Sequence, residues 1–97
     1  MEPKKFKVIF SPSARREIEL FEADDAIQLA KDIKTYLETS PLPFGKSRIK
    51  KMTGYNPPLY RLRSGDFRAY YRIYPHEVII LVITHKKDSE KLLKKLR

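Results

Sequence analysis

Between positions 60 and 72 the chain reads YRLRSGDFRAYYR, with four arginines and three tyrosines around a single Ser-Gly-Asp. A guanidinium group is a permanent cation whose planar, paired donors match phosphate oxygens, and a tyrosine ring offers a surface on which a base can stack. These residue types therefore suit a polyanion, and a nucleic acid in particular. Which of them act together depends on the turn. With Gly65-Asp66 as a two-residue type II′ loop, Arg63 lies opposite Arg68 and Arg61 opposite Tyr70. Side-chain alternation then puts Arg61, Arg63, Arg68, Tyr70 and Arg72 on one face, and Tyr60, Leu62, Phe67, Ala69, Tyr71 and Ile73 on the other. A three-residue loop would mix arginines with Phe67 and Tyr71 on both faces, a poor pattern for burial. Like charges directly opposite on a sheet destabilise it, so this arrangement calls for an anionic partner.

The charge distribution along the chain points the same way. The 97 residues carry a formal charge of +9. Positions 11–38 hold seven acidic side chains against four basic ones, whereas positions 46–72 hold eight basic side chains against Asp66 alone. The last thirteen residues add six Lys or Arg against two acids. Such segregation is expected of a protein that meets a polyanion on one side. The lysine-rich cluster Lys46, Arg48, Lys50 and Lys51 and the later Lys87 extend the candidate RNA-binding surface.

The elements that must position these residues can be read from periodicity. The length suits one domain, 1–97, with a single core. Phe6 to Phe10 reads as a strand, ended by Ser11-Pro12, a helix cap followed by proline in the first turn. Ala14, Ile18 and Phe21 make one apolar stripe of a helix over 12–21, and Ala26, Ala30, Ile33 and Leu37 another over 25–38, capped by Asp24 and Asp25. A proline-rich loop over 41–58 contains at most a short strand around Ile49. Leu59 to Arg63, Phe67 to Tyr74 and Glu77 to His85 follow as strands, the last an apolar, β-branched run suited to a central strand covered on both faces. Asp88 can cap a terminal helix that carries Leu92, Leu93 and Leu96. The order βααβββα predicts an α+β domain: a mainly antiparallel, twisted four-stranded sheet with a helical pair on one face and a terminal helix.

Several function classes are excluded. The chain has no cysteine, hence no disulfide framework, thiolate metal site or cysteine nucleophile. No metal or cofactor is expected. The apolar run Val78 to Ile83 is far too short to span a membrane, and the N-terminal residues have no apolar signal core, so a cytoplasmic location without membrane contact is expected.

Taken in order, LYRLRSGDFRAYYRI, then EVIILVITHKKDSEKLLKKL, preceded by a strand, a helical pair and GKSRIKKMTGY, resembles the RelE/ParE superfamily of toxins from type II toxin–antitoxin systems. The resemblance covers nearly the whole chain and implies a small antitoxin as partner. Its RelE-like branch cleaves messenger RNA in the ribosomal A site without metal, the ribose 2′-OH attacking the adjacent phosphate; its ParE-like branch inhibits DNA gyrase. It implies ribosome-dependent mRNA cleavage here, with gyrase inhibition and a degenerate inactive member as alternatives. Arg61, Arg63 and Arg68 match basic positions of RelE-like toxins, as does Lys86 or Lys87, while Glu90 stands where many members have a catalytic tyrosine. Arginine can stabilise an anionic phosphorane but cannot easily take a proton. A base or acid must come from His85, from Glu90, or from Lys86 with a depressed pKa.

Overall fold

The computed structural model describes residues 5–44 and 48–96. Five strands, β1 (Lys7–Phe10), β2 (Ile49–Met52), β3 (Leu59–Ser64), β4 (Phe67–Ile73) and β5 (Glu77–His85), form one sheet in the order β1-β5-β4-β3-β2. β1 runs parallel to β5 and the other pairings are antiparallel. The α+β class and mainly antiparallel sheet are as expected, but there are five strands, not four. β2 is the addition. Its residues are few and bracketed by prolines, so the local signal is weak; pairing Ile49 with Leu62 buries Ile49 in the core and makes the strand.

Helices α1 (Pro12–Glu19) and α2 (Ala23–Leu37) cover one face of this sheet. Ser11 caps α1 as its sequence suggests, its Oγ accepting from the Ala14 N–H at 3.0 Å. The same Oγ donates to the Leu81 carbonyl at 2.7 Å. That carbonyl lies at an irregularity of β5, where Tyr70 pairs with Val82 and Tyr71 with Ile80, leaving Leu81 as the extra residue. The bulge keeps Val78, Ile80 and Ile83 all on the helix side, and the cap ties α1 to it. α2 starts two residues earlier than its aspartates suggest. Glu22 takes the cap position without a side-chain bond, and Asp24 and Asp25 fall in the first turn, where negative charge favours the helix N-terminus.

The core lies between this helical layer and the sheet. Ala14, Leu29, Ile33 and Leu37 pack against Ile49, Tyr60, Leu62, Ala69, Tyr71, Val78, Ile80 and Ile83. Tyr60 and Tyr71, strand partners, stack at 5.8 Å, and the Tyr71 hydroxyl donates to the Pro41 carbonyl at 2.5 Å. Burial, then the nearby Tyr60, pushes the Tyr71 phenol far above its ordinary pKa. After β5 a 3-10 turn, Lys86–Asp88, leads into α3 (Ser89–Leu96). Asp88 thus ends the short turn immediately before the helix it was expected to cap. No helix among the described residues is long and apolar enough to cross a membrane.

Candidate functional site

The hairpin has the register expected from its turn. Arg63 pairs with Arg68 and Arg61 with Tyr70. Gly65 has φ +57°, and no described residue other than glycine has positive φ, so Asp66 stays in the ordinary region as a type II′ loop requires. Lys50 opposite Arg61 and Arg72 opposite Ile79 complete the face turned away from α1 and α2. Lys50, Arg61, Arg63, Arg68 and Arg72 are therefore gathered on one side of three neighbouring strands.

Arg63 and Lys50 are exposed, and Arg61, Arg68 and Arg72 half-buried. Arg68 Nη1 donates to the Gly65 and Phe67 carbonyls, both at 2.9 Å, which holds the guanidinium against the hairpin tip. Burial lowers its proton affinity, and the charges of Arg61 and Arg63 lower it further. It remains a cation, but one whose surroundings favour an incoming negative charge. At the same tip Lys86 Nζ meets Asp66 Oδ1 at 3.3 Å, an exposed pair, and Lys86 N donates to the Asp66 carbonyl.

Other expected site residues are placed elsewhere. His85 pairs with Phe67 and so projects to the helix side, where the two rings meet edge-on at 5.7 Å. Its Nδ1 accepts from the Lys87 N–H at 3.1 Å and caps the 3-10 turn. The sheet therefore separates it from the arginines. Tyr70 is on the arginine face but wholly buried, so its ring is closed to a stacking base. A tyrosine at this register position covers the strand apolarly once a helix crosses it. Arg48 turns to α2, its Nη1 3.5 Å from Asp32 Oδ2 and its guanidinium 5.4 Å from the Tyr36 ring centre. Lys51, opposite Tyr60, is exposed on the helix-side rim of the edge strand, and Lys87 is exposed in the 3-10 turn. Lys46 lies outside the described residues.

Glu90 sits on the arginine side. With Leu93 and Lys94 of α3 it faces Lys50, Met52 and Thr53 across an open cleft of about 360 Å³. The far end of α3 is anchored by the Tyr55 hydroxyl, which donates to the Leu93 carbonyl at 3.0 Å. Running from the end of β5 to the segment after β2, α3 crosses the sheet over the arginine face. Sequence reasoning had the terminal helix but not this placement.

It also missed a buried polar node. Asp32 accepts from Ser64 Oγ at 2.6 Å and Gln28 Nε2 at 3.2 Å, besides its contact with Arg48. Asp32 and Ser64 are both buried. The node joins α2 to the start of the turn that positions Arg63 and Arg68. The one available signal was an aspartate one residue before Ile33 of the apolar stripe, beside the core rather than opposite it.

The chain matches the family described as ParE toxin of type II toxin–antitoxin system, parDE, over residues 8–90. No curated protein sequence matches it. Among solved structures it is similar to the archaeal RelE–RelB complex from Pyrococcus horikoshii OT3, at 21% identity and a TM-score of 0.69 over 84% of this chain and 94% of that one. It is also similar to the RelB–RelE antitoxin–toxin complex from Methanococcus jannaschii, at 19% identity, TM-score 0.67, and 87% and 96% coverage. The toxin–antitoxin complex RelBE2 from Mycobacterium tuberculosis gives 24%, 0.68, and 87% and 94%. These likenesses carry the fold, and the family match, spanning most of the chain and the whole arginine hairpin, carries the assignment: the protein is a toxin of the RelE/ParE superfamily and belongs to the ParE toxin family of type II toxin–antitoxin systems.

Proposed function

We propose that the toxin arrests translation by cutting messenger RNA on the ribosome, its arginine face holding the scissile phosphate. The observation that carries this reading is the convergence of Arg61, Arg63 and Arg68 on one face, where burial first, and then the other two charges, lower the proton affinity of Arg68. Three fixed cations next to one another are destabilising unless an anion joins them, and a phosphorane is more highly charged than the phosphodiester from which it forms. In this scheme the 2′-OH attacks phosphorus, the 5′-oxygen of the next nucleotide leaves, and a cyclic phosphate results. Of the three acid–base candidates, His85 is on the far side of the sheet and Lys86 is held by Asp66, whereas Glu90 overlooks the arginine face. We assign proton transfer to Glu90. A cognate antitoxin, an acidic or otherwise complementary chain covering this surface, completes the system.

Gyrase inhibition is the second reading, favoured by the family match and by the displacement of His85 from the arginines. Purified toxin with programmed ribosomes separates the two. Cleavage of A-site message, reduced about 10²–10³-fold by Arg68→Ala, is expected from loss of one preorganised charge. Glu90→Gln should lower the cleavage rate and remove the limb of the pH–rate profile that its proton transfer imposes. Intact message together with blocked DNA supercoiling would transfer the surface to gyrase.

A further inference from the structure

Arg63 and Arg68 face each other beside the hairpin turn, a like-charge pair that by itself would splay the strand ends. What resists the splay lies on the opposite side of the sheet. Arg63 is followed by Ser64, and its N–H donates at 2.9 Å to the carbonyl of Arg48, the residue before β2. One side chain of α2 holds both neighbours. Asp32 Oδ2 accepts from Ser64 Oγ at 2.6 Å and meets Arg48 Nη1 at 3.5 Å. Gln28 Nε2, one turn earlier on α2, donates to Oδ1 at 3.2 Å and fixes the carboxylate in that orientation. The Ser64 bond is short, charge-assisted and buried, and it outweighs the Arg48 contact, which is long and partly exposed.

The backbone carries this anchor on to Arg68. Gly65, next after Ser64, sits in the left-handed region at φ +57°, and its carbonyl accepts from Arg68 Nη1 at 2.9 Å. Ser64 and Phe67 are the strand partners that close the loop. Asp32 is therefore joined to the Arg68 guanidinium by a side-chain hydrogen bond, one peptide unit and a second hydrogen bond. A buried ion pair is weak evidence for stability, because apolar residues of similar volume often serve as well. The buried carboxylate at the edge of the core is better explained by what it holds in place.

We propose that Asp32 is a positioning residue for the arginine face: through Ser64 it fixes the hairpin tip so that Arg63 and Arg68 stand ready for the scissile phosphate. Being on the helix side, it touches no substrate itself. The kinetic consequence rests on the function proposed above; the anchoring does not.

In Ser64→Ala and in Asp32→Ala, kcat for cleavage of A-site message should fall about 10-fold or more with KM nearly unchanged, since a displacement of about 1 Å remote from the chemistry can cost about 10²-fold. The Asp32→Ala/Ser64→Ala double variant separates positioning from stability. Removing the orphaned hydroxyl recovers part of the folding free energy, yet the tip stays unanchored, so kcat should remain as low as in either single variant. A kcat that recovers together with the urea midpoint, or that is unchanged in Ser64→Ala, would overturn the proposal. Asp32→Asn keeps an oxygen for Ser64 and should retain most of kcat; a loss equal to that of Asp32→Ala counts equally against it. Nitrogen-15 NMR reads the same anchor without RNA. Rotation of the Arg68 guanidinium, held by the Gly65 and Phe67 carbonyls, should be faster in Ser64→Ala than in the wild type. If the wild-type toxin leaves message intact, the cleavage reading fails and the rotation alone decides: faster rotation upholds the anchor, and equal rotation sinks it.

Discussion

The two faces of the sheet are made from the same strands and are held in opposite ways. On the helix side, Leu62, Ala69, Tyr71, Val78, Ile80 and Ile83 close against α1 and α2, and the polar groups drawn in, Asp32, Ser64 and the Tyr71 hydroxyl, all have partners. On the other side, Arg63 faces Arg68, buried donors lack acceptors, and one short helix supplies the cover. The difference teaches how one sheet divides its labour: the first face supplies stability, and the second carries charge and hydrogen-bonding capacity that the described contacts leave unused.

The largest effect should come from the closed face. Leu62→Ala, at a fully buried position, is expected to cost about 2–5 kcal/mol in urea denaturation. A cost below 1 kcal/mol would mean that the two faces are not energetically distinct. Next comes the polar node. Asp32→Ala strips the buried Ser64 hydroxyl of its acceptor and should cost about 1–3 kcal/mol. Adding Ser64→Ala should restore part of that loss, because the orphaned group is then removed. If the double variant is worse than the single by a full further increment, the two residues are not coupled.

Tyr71→Phe, which unpairs the Pro41 carbonyl, should cost about 1 kcal/mol near neutral pH. It also tests a pH dependence. The folded state holds the Tyr71 proton more tightly than the unfolded chain does, so this contribution is intact below the ordinary tyrosine pKa of about 10 and is lost as pH rises above it. The urea midpoint of the wild type should therefore fall above that pH, and fall less in Tyr71→Phe. The smallest change is expected on the open face. Arg63→Gln relieves the like-charge pair and should stabilise the fold by a few tenths to about 1 kcal/mol. The same substitution should flatten the log–log salt dependence of RNA binding by about 0.7, one phosphate contact on a single strand. A destabilised Arg63→Gln would show that the arginines hold the sheet together.

The hairpin was legible because its determinants are local. Gly65 at the first turn position sets a register, and alternation from that register sorts every side chain from Tyr60 to Arg72. The Ser11 cap and the span of β5 were equally plain. His85 and Arg48 were not, since a histidine at a strand end and an arginine before a short strand carry no local mark of the side to which they turn. Likewise Tyr70 was placed on the correct face but read as open, because the sequence has α3 as an amphipathic segment without an address.

What the amino-acid order alone determined, then, is the set of elements apart from β2, the hairpin register and the segregation of arginines from apolar residues, all consequences of period, turn chemistry and charge within about a dozen residues. Only the tertiary structure decided that β1 joins β5 in parallel, that Asp32 meets Ser64, and that α3 lies over the arginines. Those contacts join residues 32 to 70 positions apart, or two surfaces each apolar enough to pack in more than one place, and their geometry is fixed by mutual burial, which no single segment encodes.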